Sequence, residues 1–249
     1  MKKNKFMRLA SVMLMLCLIT TCAISGTFAK YTTSASAQDS ARVAKWGVKI
    51  AMNADDTFFS DSYGDDDLAS DSNVTVQGES SAKVVAPGTK GNLATVTISG
   101  KPEVKTNVQV TVDLDLGSNW KLADTTVYCP LVITVNSTPY KVNLSDANMD
   151  TTAELETAVE NAIKTIILGE VAASKEFAVN YNFGNDSTVD LTVDWKWDFE
   201  CANDPATPED EAEIKDTNDT YLGDLIADAN ADNDPKINFS ISVTVDQVD

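Results

Sequence analysis

The sequence predicts an all-β protein, a jelly-roll-like antiparallel β-sandwich with one or two short helices inserted in its connecting loops. Two observations carry this prediction. Apolar residues recur at every second position over long stretches, most clearly in residues 108–116 and 189–199. Glycine, proline, asparagine and serine separate these stretches as turn-forming residues do. Such alternation is typical of sheets with one buried face, and about eight to ten strands of this kind fit a sandwich.

Strands are predicted wherever this alternation holds between turns. The predicted strands cover residues 42–52, 82–85, 93–98, 104–116, 127–135, 140–144, 177–183, 189–199 and 237–245. The predicted core includes all four tryptophans, which are Trp46, Trp120, Trp195 and Trp197. A polar opposite face supports this interpretation for Trp195 and Trp197, for which a row of rings stacking on sugars is the alternative.

One segment changes from a period of two to helical spacing. Thr151 and Glu154 match a capping box, apolar residues follow at helical spacing, and Gly169 suits the end of a helix. We predict an amphipathic helix here. A loop over the acidic, proline-containing residues 202–216 is then followed by a second short helix over residues 217–229.

The first 29 residues are typical of an export signal. A basic start precedes an apolar run over residues 9–24, and small residues at 27 and 29 suit a cleavage site. We expect a signal peptide over residues 1–29 that a signal peptidase removes between Ala29 and Lys30, leaving no membrane span. An uncleaved anchor and a lipoprotein modified at Cys22 are the alternatives.

The predicted mature chain begins with a flexible arm over residues 30–41 (KYTTSASAQDSA), which are small, polar and free of apolar periodicity. The arm starts with Lys30, Tyr31, Thr32, Thr33 and Ser34. An exposed sheet edge is a template for another strand, so such an arm can add to the edge of a neighbouring subunit. A frayed terminus is the alternative. Residues 42–249 are predicted to form a single β-sandwich domain.

Charge and histidine content exclude several functions. The 249 residues include 19 Lys and Arg, 38 Asp and Glu and no histidine, so the net charge is −19. Loss of the four cations in residues 1–29 leaves −23. Such a polyanion is poorly suited to nucleic acid or anionic membranes. Without histidine there is no Ser-His-Asp triad, Cys-His dyad or HExxH zinc site, and we predict neither an enzyme nor any catalytic residue.

Two sets of residues are candidates for bonds or ligands. Cys129 and Cys201 remain after export and can form one disulfide in an oxidising exterior, with two buried free thiols as the open alternative. A calcium ion is the one cofactor left open, and its candidate ligands are Asp228, Asn230, Asp232 and Asp234. The complete calcium-loop pattern is absent, since Asn233 replaces its glycine and Phe239 its glutamate. A solvated acidic turn is therefore the competing interpretation, as it is for the acidic residues between 55 and 71.

Six short segments, spread over both ends and the middle of the chain, carry a family resemblance. They are residues 26–31 (GTFAKY), 39–46 (DSARVAKW), 85–91 (VAPGTKG), 195–200 (WKWDFE), 218–223 (NDTYLG) and 243–249 (VTVDQVD). The first two resemble Gram-positive proteins exported through the alternate signal peptidase SipW. The others are similar to the TasA/camelysin family of biofilm-matrix proteins. Some relatives are called metalloproteases, but a chain without histidine does not suit that activity.

The resemblance implies a secreted jelly-roll subunit that assembles into extracellular fibres. Together with the residue-level features, it predicts a non-enzymatic structural subunit of a biofilm matrix or surface fibre. The expected partners are further copies of the chain and, during export, the signal peptidase. An acidic β-sandwich adhesin or binding module with loop-bound calcium is the alternative function.

Overall fold

The computed structural model describes residues 5–32, 42–52, 58–64, 75–142, 149–184, 189–198, 209–227 and 234–248. The chain divides into two compact units, residues 1–43 and 44–249. The first unit contains helix α1 (Lys5–Thr32), whose apolar side chains from Phe6 to Ile19 are exposed. Among the described ranges, no helix combines the length and the hydropathy that a membrane span requires.

The second unit is an antiparallel β-sandwich with inserted helices, which confirms the predicted fold class. Its strands are β1 (Lys49–Met52), β2 (Ser62–Tyr63), β3 (Val76–Gln77), β4 (Lys90–Ser99), β5 (Thr106–Asp115), β6 (Leu131–Val135), β7 (Thr138–Tyr140), β8 (Ser174–Phe177), β9 (Val189–Trp197) and β10 (Asn238–Gln247). Its α-helices are α2 (Thr152–Leu168) and α3 (Glu209–Ala227), and a short 3-10 helix covers Glu79–Ser81. One sheet has the order β1-β4-β9-β6-β7, a second the order β10-β5-β8, and β2 and β3 form a small ribbon.

The period of two predicts which side chains fill the core. In β5 the buried residues alternate strictly with exposed or half-buried ones, and β9 repeats this pattern from Val189 to Trp197. Trp120, Trp195 and Trp197 are at most 5% exposed, which confirms their predicted place in the core. The alternative of a sugar-stacking row is therefore wrong for Trp195 and Trp197.

Helix α2 forms where the sequence predicts it, and it completes the sandwich beside β5. The Thr151 side chain accepts a hydrogen bond from the Glu154 backbone, the Glu154 side chain accepts one from the Thr151 backbone, and Gly169 ends the helix with φ of 75°. The helix packs against β5, β9, β6 and β7. Its buried face consists of Leu155, Val159, Ile163, Ile167 and Leu168.

Several predictions of local structure are wrong. The strand predicted over residues 140–144 is displaced, because β7 begins at Thr138 and ends at Tyr140. Residues 82–85 have no strand pairing, and the strand predicted over 177–183 ends at Phe177. The chain turns there through Asn180, whose φ is 63°, and Tyr181 and Phe183 fold back against Phe177. Helix α3 begins at residue 209, within the segment predicted as a loop. Trp46 is 39% exposed rather than buried, because it lies before β1 and next to Gly47, whose φ of 62° breaks the alternation.

Candidate assembly surfaces

Four strands form the edges of the two main sheets, and β10 differs from the other three. Strands β1, β7 and β8 have four residues or fewer, whereas β10 has ten. All ten residues of β10 pair with β5, from Asn238 opposite Asp115 to Gln247 opposite Thr106. No described strand continues the sheet on the other side of β10. This is the longest open edge among the described strands.

The composition of β10 leaves this edge unprotected. Natural edge strands are commonly protected by Lys, Pro or bulges. Strand β7 contains Pro139, β1 contains Lys49, and β8 contains Lys175. Strand β10 contains none of these protective residues, and Asp246 is its single charged residue. Along it, exposed Ser, Thr and Asp side chains alternate with half-buried Ile and Val, so one face is polar and the other is apolar.

A second surface, the cationic segment, consists of residues 44–52. Its backbone is fixed at Lys45, where the N–H donates to Glu103 Oε2 at 2.9 Å and the carbonyl accepts from the Glu103 N–H at 2.8 Å. Trp46 and Ile50 are 39% and 38% exposed, and Lys45 and Lys49 are exposed beside them. The segment therefore presents an aromatic ring, an aliphatic side chain and two cations on an ordered backbone.

Residues 113, 115 and 156 form an acidic corner at one end of β5. Glu156 Oε1 on α2 accepts a hydrogen bond from the Leu116 N–H at 2.8 Å. Burial raises the pKa of Glu156, and the negative charges of Asp115, Glu160 and Asp113 add to the increase although the Leu116 hydrogen bond opposes it. The Glu156 carboxyl therefore keeps its proton to a higher pH than the carboxyl of an isolated glutamate does.

A polar contact attaches α3 to the sandwich. Asp219 Oδ1 accepts a hydrogen bond from Tyr128 Oη at 2.7 Å, and its Oδ2 accepts one from Trp197 Nε1 at 3.1 Å. Leu222 is buried one turn further along α3. Asp219 lies in the segment 218–223, but the sequence does not predict its contact with Tyr128, which lies 91 residues away.

The predicted disulfide involves one described and one undescribed residue. Cys129 is buried and forms no disulfide with a described residue, and burial raises the pKa of its thiol to about 12. It lines a surface cavity of about 270 Å³ together with Trp197, Asp198 and Asp219. Cys201 lies outside the described residues. Its pairing with Cys129 stays a prediction.

Most of the calcium candidates also lie outside the described residues. Asp228, Asn230 and Asp232 are not described, and of the acidic residues between 55 and 71 only Asp61 is. Asp234 is half-buried, and its Oδ1 atom has no hydrogen-bond partner in the described structure. Among the described residues, no three His, Cys, Asp or Glu side chains lie close enough to hold a metal ion. Calcium binding stays a prediction.

The predicted cleavage site and arm are described only in part. The backbone of Ala29, Lys30, Tyr31 and Thr32 forms the end of α1. Thr33, Ser34 and the rest of the arm to residue 41 lie outside the described residues. Cleavage and strand donation therefore stay predictions.

None of the family models, curated proteins or solved structures that were searched matches this chain.

Proposed function

We propose that the chain is the precursor of a secreted structural subunit, which assembles into an extracellular matrix or surface fibre. In this proposal the signal over residues 1–29 is removed at Lys30, and the arm over residues 30–41 adds as a strand to a sheet edge of a neighbouring subunit. The resemblance to the TasA/camelysin family supports the proposal. No catalytic chemistry is part of it.

The observation that carries the proposal is the unprotected edge of β10. In this ten-residue edge strand every second residue turns its backbone N–H and C=O away from β5, and another strand can pair with these groups. The arm has twelve residues, so as a strand it extends about 40 Å and β10 about 34 Å. The two lengths match closely enough for the arm to cover the whole edge.

A contact between an arm and an edge joins two different surfaces. Such heterologous contacts propagate into filaments when they do not close into a ring. The net charge of −23 opposes association at low ionic strength, so salt that screens this repulsion should favour assembly. The expected product is a filament whose formation increases with salt.

Electron microscopy and light scattering of residues 30–249 test the proposal. This segment carries the whole core, because the buried apolar residues of the described chain all lie between Tyr63 and Phe239. Residues 30–249 should form regular filaments, and residues 42–249 should remain folded but not polymerise. A matched control replaces residues 30–41 by twelve Gly and Ser residues and should behave as the truncation does. Filaments from the truncated protein would overturn the role of the arm.

One observation favours the alternative function, an acidic binding module with loop-bound calcium. The Oδ1 atom of Asp234 is buried and has no hydrogen-bond partner in the described structure, and a hard cation would satisfy it. Under this alternative, millimolar calcium should raise the Tm of residues 30–249 and leave that of the Asp234→Asn variant unchanged. Equal calcium responses of the two proteins would count against it.

A further inference from the structure

We propose that the cationic segment, residues 44–52, is a docking surface for the acidic body of a second copy of this chain. The inference rests on the proposed self-assembly and adds a contact that the arm does not supply.

The charge distribution favours a second copy of the chain as the partner of the cationic segment. The segment holds two cations, Lys45 and Lys49, and no acid. Residues 53–249 hold 11 cations and 37 acids, a net charge of −26. Complementary charges steer association and fix the orientation of partners. A second copy therefore presents an oppositely charged surface to the cationic segment.

The apolar side chains of the segment supply binding energy that its charges alone do not provide. Exposed Lys and Asp pairs at a surface contribute little binding energy by themselves, whereas Trp is enriched among the residues that dominate protein interfaces. Trp46 and Ile50 are four residues apart in the chain, so their Cα atoms lie within about 14 Å of each other. One partner surface can cover both side chains, and the long side chains of Lys45 and Lys49 lie next to them in the chain.

The segment is also ordered before a partner arrives. The two hydrogen bonds between Lys45 and Glu103 hold its start, and β1 pairs with β4 from Lys49 opposite Ser99 to Met52 opposite Val96. Little conformational entropy is then lost on docking, which improves affinity for a given contact area. This order distinguishes the segment from a frayed chain terminus, whose basic residues would not hold a fixed geometry.

The decisive experiment compares two variants with the same net charge. The first is Lys45→Glu with Lys49→Glu, and the control is Lys90→Glu with Lys121→Glu, whose lysines are exposed and lie outside the segment. Self-association of residues 30–249 is measured by analytical ultracentrifugation at about 50 mM salt. We expect the first variant to associate at least tenfold more weakly than the control, and the control to stay within about threefold of the parent. At 0.5 M salt the difference should shrink, because the Debye length falls to about 4 Å.

Two further measurements identify the partner that binds the cationic segment. Trp46→Ala should weaken association at least fivefold at both salt concentrations, with the strand signal in circular dichroism unchanged, because Trp46 lies outside the buried core. A photocrosslinker at position 50 should join two copies. Vesicles rich in phosphatidylglycerol serve as a probe of the competing anionic partner.

The outcomes separate this inference from the proposed function. If residues 30–249 form filaments and the Lys45→Glu, Lys49→Glu variant forms them as readily as its control, the inference is wrong and the proposed function stands. If the substitutions abolish vesicle binding but leave self-association unchanged, the segment contacts membranes instead, and the inference is again wrong. If the parent protein neither associates nor forms filaments, both proposals fail.

Discussion

Helices α2 and α3 have similar lengths, 17 and 19 residues, but they are held to the sandwich by different forces. Helix α2 buries five apolar side chains and has a complete capping box. Among the described side chains of α3, only Leu222 is buried, and Asp219 makes the polar contacts to Tyr128 and Trp197. Helix α2 is therefore part of the core, whereas α3 is held at the surface of the sandwich by few contacts.

This difference predicts unequal local stability. A helix that buries a continuous apolar face opens only when the core opens, whereas a helix held by few contacts can detach at a lower free energy. We therefore expect slow hydrogen exchange in α2 and faster exchange in α3.

Ile163→Ala should have the largest effect. Ile163 lies on the buried face of α2 with no exposed area, and its truncation leaves a cavity in the core. Global stability should fall by about 3 kcal/mol, measured by urea unfolding. The control is Ile226→Ala on α3, where the side chain is 55% exposed and the change should stay within about 0.5 kcal/mol. Equal losses at the two positions would contradict the proposed distinction.

The periodicity of the sequence predicts α2 but not the start of α3, and the reason is physical. Local signals specify α2, since Thr151, Glu154 and Gly169 act within one turn of its ends. The attachment of α3 depends on Asp219 and Trp197, whose contact exists only after the sheet has formed. Patterns within short windows cannot encode such long-range contacts.

The difference between local signals and long-range contacts also explains which features of the candidate assembly surfaces the sequence predicts. The sequence predicts β10 as a strand because its own residues alternate. Its position at an edge follows from the strand order, which pairs it with β5 alone. Likewise, the alternation of residues 42–52 predicts that Trp46 is buried, and the positive φ of Gly47 moves it to the surface.

Asp219→Ala should cause the second largest loss of stability. The loss should be confined to the attachment of α3. Loss of this carboxylate removes the acceptor of the Tyr128 and Trp197 hydrogen bonds, at a cost of about 2 kcal/mol. In a Cys201→Ser background, a thiol reagent should label Cys129 faster, because Cys129 lines the same cavity as Asp219. Asp224→Ala, at an exposed position of α3, is the control and should leave the labelling rate unchanged. No acceleration in the Asp219→Ala variant would mean that this contact does not hold α3.

Thr151→Ala should cost about 1 kcal/mol, because it removes the side-chain oxygen that caps the first turn of α2. Thr157→Ala is the matched control, since Thr157 is an exposed residue within the same helix and alanine favours helix. Chemical denaturation of the two variants gives the comparison. Stability of Thr151→Ala equal to that of Thr157→Ala would show that the capping box contributes nothing here.

Glu156→Gln should have the smallest effect, a gain of less than about 1 kcal/mol at neutral pH. The pKa of Glu156 is raised in the folded protein, so its ionised form is disfavoured there and stability falls as the pH rises through that pKa. Asp113, Asp115 and Glu160 face the same carboxyl, and Lys164 forms an ion pair with Glu160. Glutamine keeps an oxygen acceptor for the Leu116 N–H without the charge. Its advantage should disappear on acidification, and a gain independent of pH would contradict this explanation.

The pair of hydrogen bonds between Lys45 and Glu103 has a mechanical consequence. Glu103 lies in the connection between β4 and β5, and these strands belong to different sheets. A pull on the chain that precedes Lys45 therefore reaches both sheets at a common point instead of peeling β1 away from β4. A subunit loaded through its N-terminal segment would share that tension across the whole sandwich.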